Sequence, residues 1–160
     1  MTELLQLAGQ VVGRLAEKGL FITAVESCTG GGLANCITNI EGASAVMKGA
    51  WVAYSNEAKF DVGVPPDVVG KHSAYSPETA VAMARAGIEK MDAQIGVGIT
   101  GQLTFPDPNL GNRVFIAVVF GAFEKSEVVV FPAGRERWKA KETVVEKALR
   151  MVLEVLQEAS

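Results

Sequence analysis

A single histidine, two cysteines, two tryptophans and two tyrosines are spread over 160 residues. Cys28 and Cys36 form no Cys-x-x-Cys pair, and His72 has no second histidine, so the familiar zinc patterns are excluded. No metal or other cofactor is expected, and the two thiols are expected to be reduced. No apolar run approaches the ~20 residues of a membrane-spanning helix. The longest, Val114 to Phe123, is interrupted by Gly121. The N-terminus lacks a basic segment leading into an apolar stretch and a small-residue cleavage site, so a cytoplasmic location is the default expectation. A net charge of −3 with no long basic stripe argues against nucleic acid as a partner, though a small anion can still bind locally.

What is present suits a packed core. Apolar residues make up 49% of the chain and charged residues 21%, with a mean hydropathy of +0.24. At this length one domain over residues 1–160 is expected, burying about 70% of the surface its unfolded chain exposes. Leu4, Leu5, Leu7, Val11, Val12 and Leu15 predict a helix over about 2–18, stopped at Gly19. Leu20 to Val25 reads as a buried strand, and Leu33, Ile37 and Ile40 as a helix. A strand is expected over Ala45 to Tyr54, then a short helix capped by Asn56. Ser76-Pro77 opens a helix whose buried stripe is Val81, Met83, Ala84 and Ile88. A glycine-containing strand follows over Gln94 to Gly101. Arg113 to Phe120 and Glu127 to Phe131 predict an antiparallel hairpin, and a long apolar stripe from Val144 to Leu156 a last helix. The order implies an α/β sandwich around a mixed, roughly five-stranded sheet.

Three loops, each after a predicted strand, compete for a site: Ser27 to Gly32, Tyr54 to Lys59, and Thr100 to Asn109. Such loops converge at the carboxyl ends of parallel strands. The first places a serine and three glycines at a strand-to-helix junction, where unpaired N–H groups favour negative charge. Ser27 needs a base to accept its proton. His72 reads better as a structural loop residue, and Cys28 as a small packed one. Lys59 is the better base if burial and a helix N-terminus keep it neutral, with Tyr54 relaying or donating a proton; a solvated lysine is the bland alternative. The glycine-loop N–H groups of Thr29, Gly30 and Gly31 then face an oxyanion or a phosphate. The basic cluster Arg135, Arg137, Lys139 and Lys141 before the last helix reads either as a solvated face or as an anion site. This is acyl-transfer chemistry on a small anionic substrate.

The runs A-V-E-S-C-T-G-G, E-G-A-S-A and V-A-Y-S-N-E-A-K, with H-x-A-x-S from His72 and G-I-T-G from Gly98, resemble the CinA C-terminal domain family. Its members include nicotinamide mononucleotide amidohydrolases of the PncC type. The resemblance implies a three-layer α/β/α fold and hydrolysis of a nicotinamide amide to the acid and ammonia, the substrate being a mononucleotide. It carries the catalytic apparatus onto Ser27 and Lys59 with Tyr54, and substrate binding onto the glycine loop, Thr100, Gly101 and Arg135. A homo-oligomer is left open. Where the family continues Thr-Gly as I-A-G-P-x-G-G, this chain reads Q-L-T-F-P-D-P-N, with Leu103 and Phe105 in place of a glycine-rich stretch. A noncatalytic ligand-binding or regulatory module is the alternative that this departure suggests.

Overall fold

The computed structural model describes residues 2–104, 112–132 and 134–159. Helix α1 spans Glu3–Lys18, capped by the Thr2 hydroxyl, which accepts from the Leu5 N–H, and ended by Gly19 at φ 65°. Its buried stripe is Leu7, Ala8, Val11, Val12 and Leu15. Strand β1 (Ile22–Glu26) is buried along its whole length and leads through the glycine turn into α2 (Gly32–Thr38). Strand β2 (Trp51–Val52) is followed by α3 (Asn56–Val62), α4 (Pro66–His72) and α5 (Pro77–Met91). Strands β3 (Ile95–Gly101), β4 (Asn112–Phe120) and β5 (Phe123–Phe131) precede α6 (Arg137–Glu158).

The five strands form one mixed sheet in the order β2-β1-β3-β4-β5. β1 pairs parallel with both β2 and β3, while β3, β4 and β5 pair antiparallel. The carboxyl ends of β1, β2 and β3 therefore point the same way, as ligand-binding α/β sheets require. Helices α1, α2 and α6 share the main core on one face, built on residues such as Leu15, Ile22, Ile116 and Leu149. On the other face α5 covers β1, β3 and β4, with α3 and α4 packed beside it. A second apolar cluster there joins Val25, Ala53, Val62, Val64, Met83 and Ala86.

Besides β5, which begins four residues before the expected Glu127, two elements differ from the sequence expectation. The strand expected over Ala45 to Tyr54 shrinks to Trp51–Val52, after a 3-10 turn at Ala43–Ala45. As an edge segment it has β1 alone to pair with, and before Trp51 it does so irregularly. The Ile22 N–H donates to the Val46 carbonyl, and the Thr23 hydroxyl to the Gly49 carbonyl. In α5 the buried face is made of smaller residues than expected: Thr79, Ala80, Met83, Ala84, Ala86 and Gly87, with Val81 and Ile88 half-buried. The reason lies in β3. A Cβ on Gly96 or Gly98 would collide with the backbone carbonyls of Ala84 and Ala80, so the two glycines set a close helix-to-sheet approach.

Candidate active site

Ser27 is pinned at the carboxyl end of β1 before its side chain does anything. Its N–H donates to the Ile99 carbonyl of β3 at 2.9 Å, and the preceding Glu26 carbonyl accepts from the Ala53 N–H at 2.7 Å. The chain then reverses, with the Gly30 N–H donating to the Ser27 carbonyl and the Gly32 N–H to that of Thr29. Gly30 and Gly31 adopt φ of 60° and 95°, left-handed values that glycine takes without steric penalty.

The carboxylate of Glu26 fills the space this turn encloses. Fully buried, it accepts from the Thr29 hydroxyl at 2.6 Å and from the Leu33 and Ala34 N–H groups at 3.0 Å each. The first N–H groups of α2, expected to face a ligand anion, thus face an anion supplied by the protein itself. Thr29 likewise spends its hydroxyl on the loop, leaving the backbone of the turn as its contribution to a ligand. Sequence reasoning passed over Glu26, although a carboxyl group ending an apolar strand had to be either exposed or paired.

Lys59 is 1% exposed, the largest fully buried side chain among the described residues. Ser55 rather than Asn56 caps α3, accepting from the Ala58 N–H at 3.1 Å. This frame aims the Lys59 amine across the loop, with Nζ 3.3 Å from Ser27 Oγ and 3.2 Å from the Ala53 carbonyl oxygen. Burial pushes its pKa below the ordinary lysine value, and no described carboxylate forms an ion pair with it. The bland solvated lysine is overturned. The cause of the shift also differs from the helix end invoked above: desolvation lowers the pKa, the residue lying toward the end of its helix.

Burial likewise pushes the Cys28 thiol up to about 12, so it stays protonated and packs in the main core. A cavity of about 200 Å³ opens over Ser27 and Cys28, bounded by Tyr54, Tyr75, residues 101–104 and Arg137. Tyr54 enters it in two ways. Its backbone carbonyl lies 3.5 Å from Ser27 Oγ, a long contact, while its exposed ring carries the hydroxyl to Arg137 Nη2 at 2.9 Å. The expected proton partnership between the Tyr54 hydroxyl and Lys59 is therefore not formed.

Thr100 is buried, and its hydroxyl donates to the Ala74 carbonyl at 2.7 Å, tying down the turn that carries Tyr75. Gly101, at φ 153°, lines the cavity through its backbone; a Cβ there would collide with the Arg113 carbonyl on β4. Arg135 lies elsewhere. It donates to the Thr143 hydroxyl at 2.8 Å, sits over the Phe131 ring, and lines a separate cavity beside Thr2 and Leu4. Arg137, not Arg135, borders the cavity over Ser27.

Leu103 is 1% exposed and joins the main core while bordering the cavity. Phe105 and the rest of the segment to Asn109 lie outside the described residues. His72 stands apart, its Nδ1 3.8 Å from Glu78 in a different surface depression. Among the described residues no three His, Cys, Asp or Glu side chains come together to hold a metal, and no helix is long and apolar enough to cross a membrane.

Comparison with known proteins gives this geometry a family. A CinA-like protein of Chloroherpeton thalassium is 36% identical over 153 residues, covering 89% of this chain and 35% of that protein. The chain spans about a third or less of the length of the curated relatives it matches. The competence/damage inducible protein CihA of Agrobacterium tumefaciens superposes with a TM-score of 0.84 at 28% identity, covering 98% of this chain and 97% of that one. A CinA superfamily protein of Klebsiella pneumoniae shares the fold with a TM-score of 0.90 at 24% identity, covering 98% and 99%. The CinA C-terminal domain model matches residues 4–156, and the chain belongs to that family.

Proposed function

We propose that the protein is an amidohydrolase that converts nicotinamide mononucleotide, or a related small amide, to the corresponding acid and ammonia. The whole chain acts as one cytoplasmic catalytic unit. The observation that carries the reading is a buried amine with no described carboxylate partner, 3.3 Å from the Ser27 hydroxyl. A neutral Lys59 reverses that hydrogen bond, accepting the proton of Ser27 as its oxygen attacks the amide carbon. The N–H groups of Thr29 and Gly31, which donate to no described residue, are the candidates to hold the oxyanion. The Lys59 ammonium then gives its proton to the departing nitrogen, releasing ammonia and leaving an ester on Ser27. Water, deprotonated by the same amine, cleaves the ester to the carboxylic acid and restores the hydroxyl.

Ammonia release from nicotinamide mononucleotide by the wild type and by Ser27→Ala tests this directly. Release by the wild type, falling at least ~10³-fold in the variant, is expected. Equal release by both removes Ser27 from the chemistry. Release by neither leaves a noncatalytic ligand-binding module, the reading that Leu103 favours by bordering the cavity where the family has glycine-rich backbone.

A further inference from the structure

We propose that Glu26 is a positioning residue for the chemistry of Ser27: its carboxylate holds the glycine turn on a path that leaves the Thr29 and Gly31 N–H groups free to receive an oxyanion. The inference rests on the acyl-transfer reading of Ser27 and goes beyond it by assigning the residue that sets the hole.

The turn already spends most of its donors. The Ser27 N–H goes to the Ile99 carbonyl, that of Gly30 to Ser27, that of Gly32 to Thr29 and that of Asn35 to Gly31. The Leu33 and Ala34 N–H groups at the start of α2 need an acceptor from elsewhere, because the N-cap residue is Gly31, which has no side chain to offer. Its φ of 95° disfavours the serine, threonine or aspartate that ordinarily caps a helix. Glu26 supplies the missing cap from the end of β1. Oε1 accepts from the Leu33 N–H and Oε2 from the Ala34 N–H, each at 3.0 Å, while the Thr29 hydroxyl donates to Oε1 at 2.6 Å.

One carboxylate thus ties the middle of the turn to its far end, and its own backbone is fixed to the sheet through the Ala53 N–H. Among the donors left over are the Thr29 and Gly31 N–H groups, on either side of Gly30. Two acceptor oxygens are needed for this arrangement. A glutamine has one, and its amide N–H₂ meets backbone donors. The charge itself works against an oxyanion nearby: at Cys28, next to Ser27, burial raises the thiol pKa and the field of Glu26 adds to the rise. The contribution of Glu26 is therefore geometric. A hole used only in the transition state shows its misplacement in kcat rather than in KM.

The test compares the wild type with Glu26→Gln, Thr29→Val and Thr29→Ser by two readouts. One is steady-state ammonia release from nicotinamide mononucleotide. The other is the rate at which a fluorophosphonate ester labels Ser27, followed by intact mass. In that step Ser27 Oγ bonds to phosphorus, fluoride leaves with the P–F electron pair, and the hydroxyl proton passes to Lys59. The phosphoryl oxygen occupies the oxyanion position, so labelling reads the hole without an amide substrate. Glu26→Gln is expected to lower kcat and the labelling rate by about 10²-fold each, with KM within about threefold. Thr29→Val is expected to lose about tenfold, and Thr29→Ser, which restores the hydroxyl, to recover most of it. If Glu26→Gln fails to fold, the Thr29 pair decides. Val155→Ala, buried in α6 away from the cavity, is the stability control: it is expected to lower the urea midpoint while leaving both rates within about twofold. Unchanged rates in Glu26→Gln, a rise in KM without a fall in kcat, an equal loss in the control, or no labelling of the wild type overturns the proposal. Labelling that depends on Glu26 without ammonia release by the wild type sinks the amidohydrolase reading and leaves the positioning role standing.

Discussion

Glu26 does for the loop what a bound anion was expected to do. A carboxylate with no exposure is tolerated because three donors converge on it, and those donors belong to the residues that shape the turn after Ser27. Glu26→Gln keeps the size but places an amide N–H₂ against backbone donors and removes the charge. It is expected to lower stability by about 2 kcal/mol, read as a shift in the urea midpoint at constant slope. Lys59 is the complementary case, a buried amine with no described carboxylate beside it. Glu26 was visible in sequence as the end of an apolar run; that its partners would be Leu33 and Ala34 depended on the path of the glycine turn. Lys59 was legible as a candidate base, but its burial was not, because a lysine in a short polar helix is ordinarily solvated.

At the scale of elements, the fit of α5 against β3 holds the Thr100 end of the sheet in place. The glycines of Gly96-Val97-Gly98 are there for contact between backbones. Gly98→Ala drives a methyl into the Ala80 carbonyl, and a loss of about 3 kcal/mol or more is expected by denaturant unfolding. The same substitution at Gly13, exposed on α1 with open space around it, is expected to gain about 0.5–1 kcal/mol through helix propensity. The caps at Gly19 and Ser76 and the β4–β5 hairpin were legible because their signals are local. The two-residue β2 was not, since its length depends on a single neighbouring strand. Nor could Arg137 be told from Arg135: two residues differ by about 200° around a helix, and Arg135 precedes the first turn of α6, so no helical phase applied to it.

Across the whole molecule, parallel pairing of β1 with β2 and β3 gathers three loops at one end of the sheet. The side chains that meet there, Ser27, Lys59, Tyr54 and Arg137, are up to 110 residues apart in sequence. This convergence was legible as soon as three strands were each seen to end in a loop bearing reactive groups. Depositing a lysine at that junction has a cost that depends on pH. Its folded pKa lies below that of the unfolded chain, so the native state loses its proton first. The penalty is full at pH below the folded value and is relieved as pH rises from there toward 10.5. A base that is neutral at working pH is what the mechanism requires. An NMR titration of the Lys59 amine, identified by the signal that Lys59→Met removes, measures this directly. A midpoint below the ordinary lysine value of 10.5 is expected, and one at or above it contradicts a Ser27–Lys59 pair in which the amine is the base.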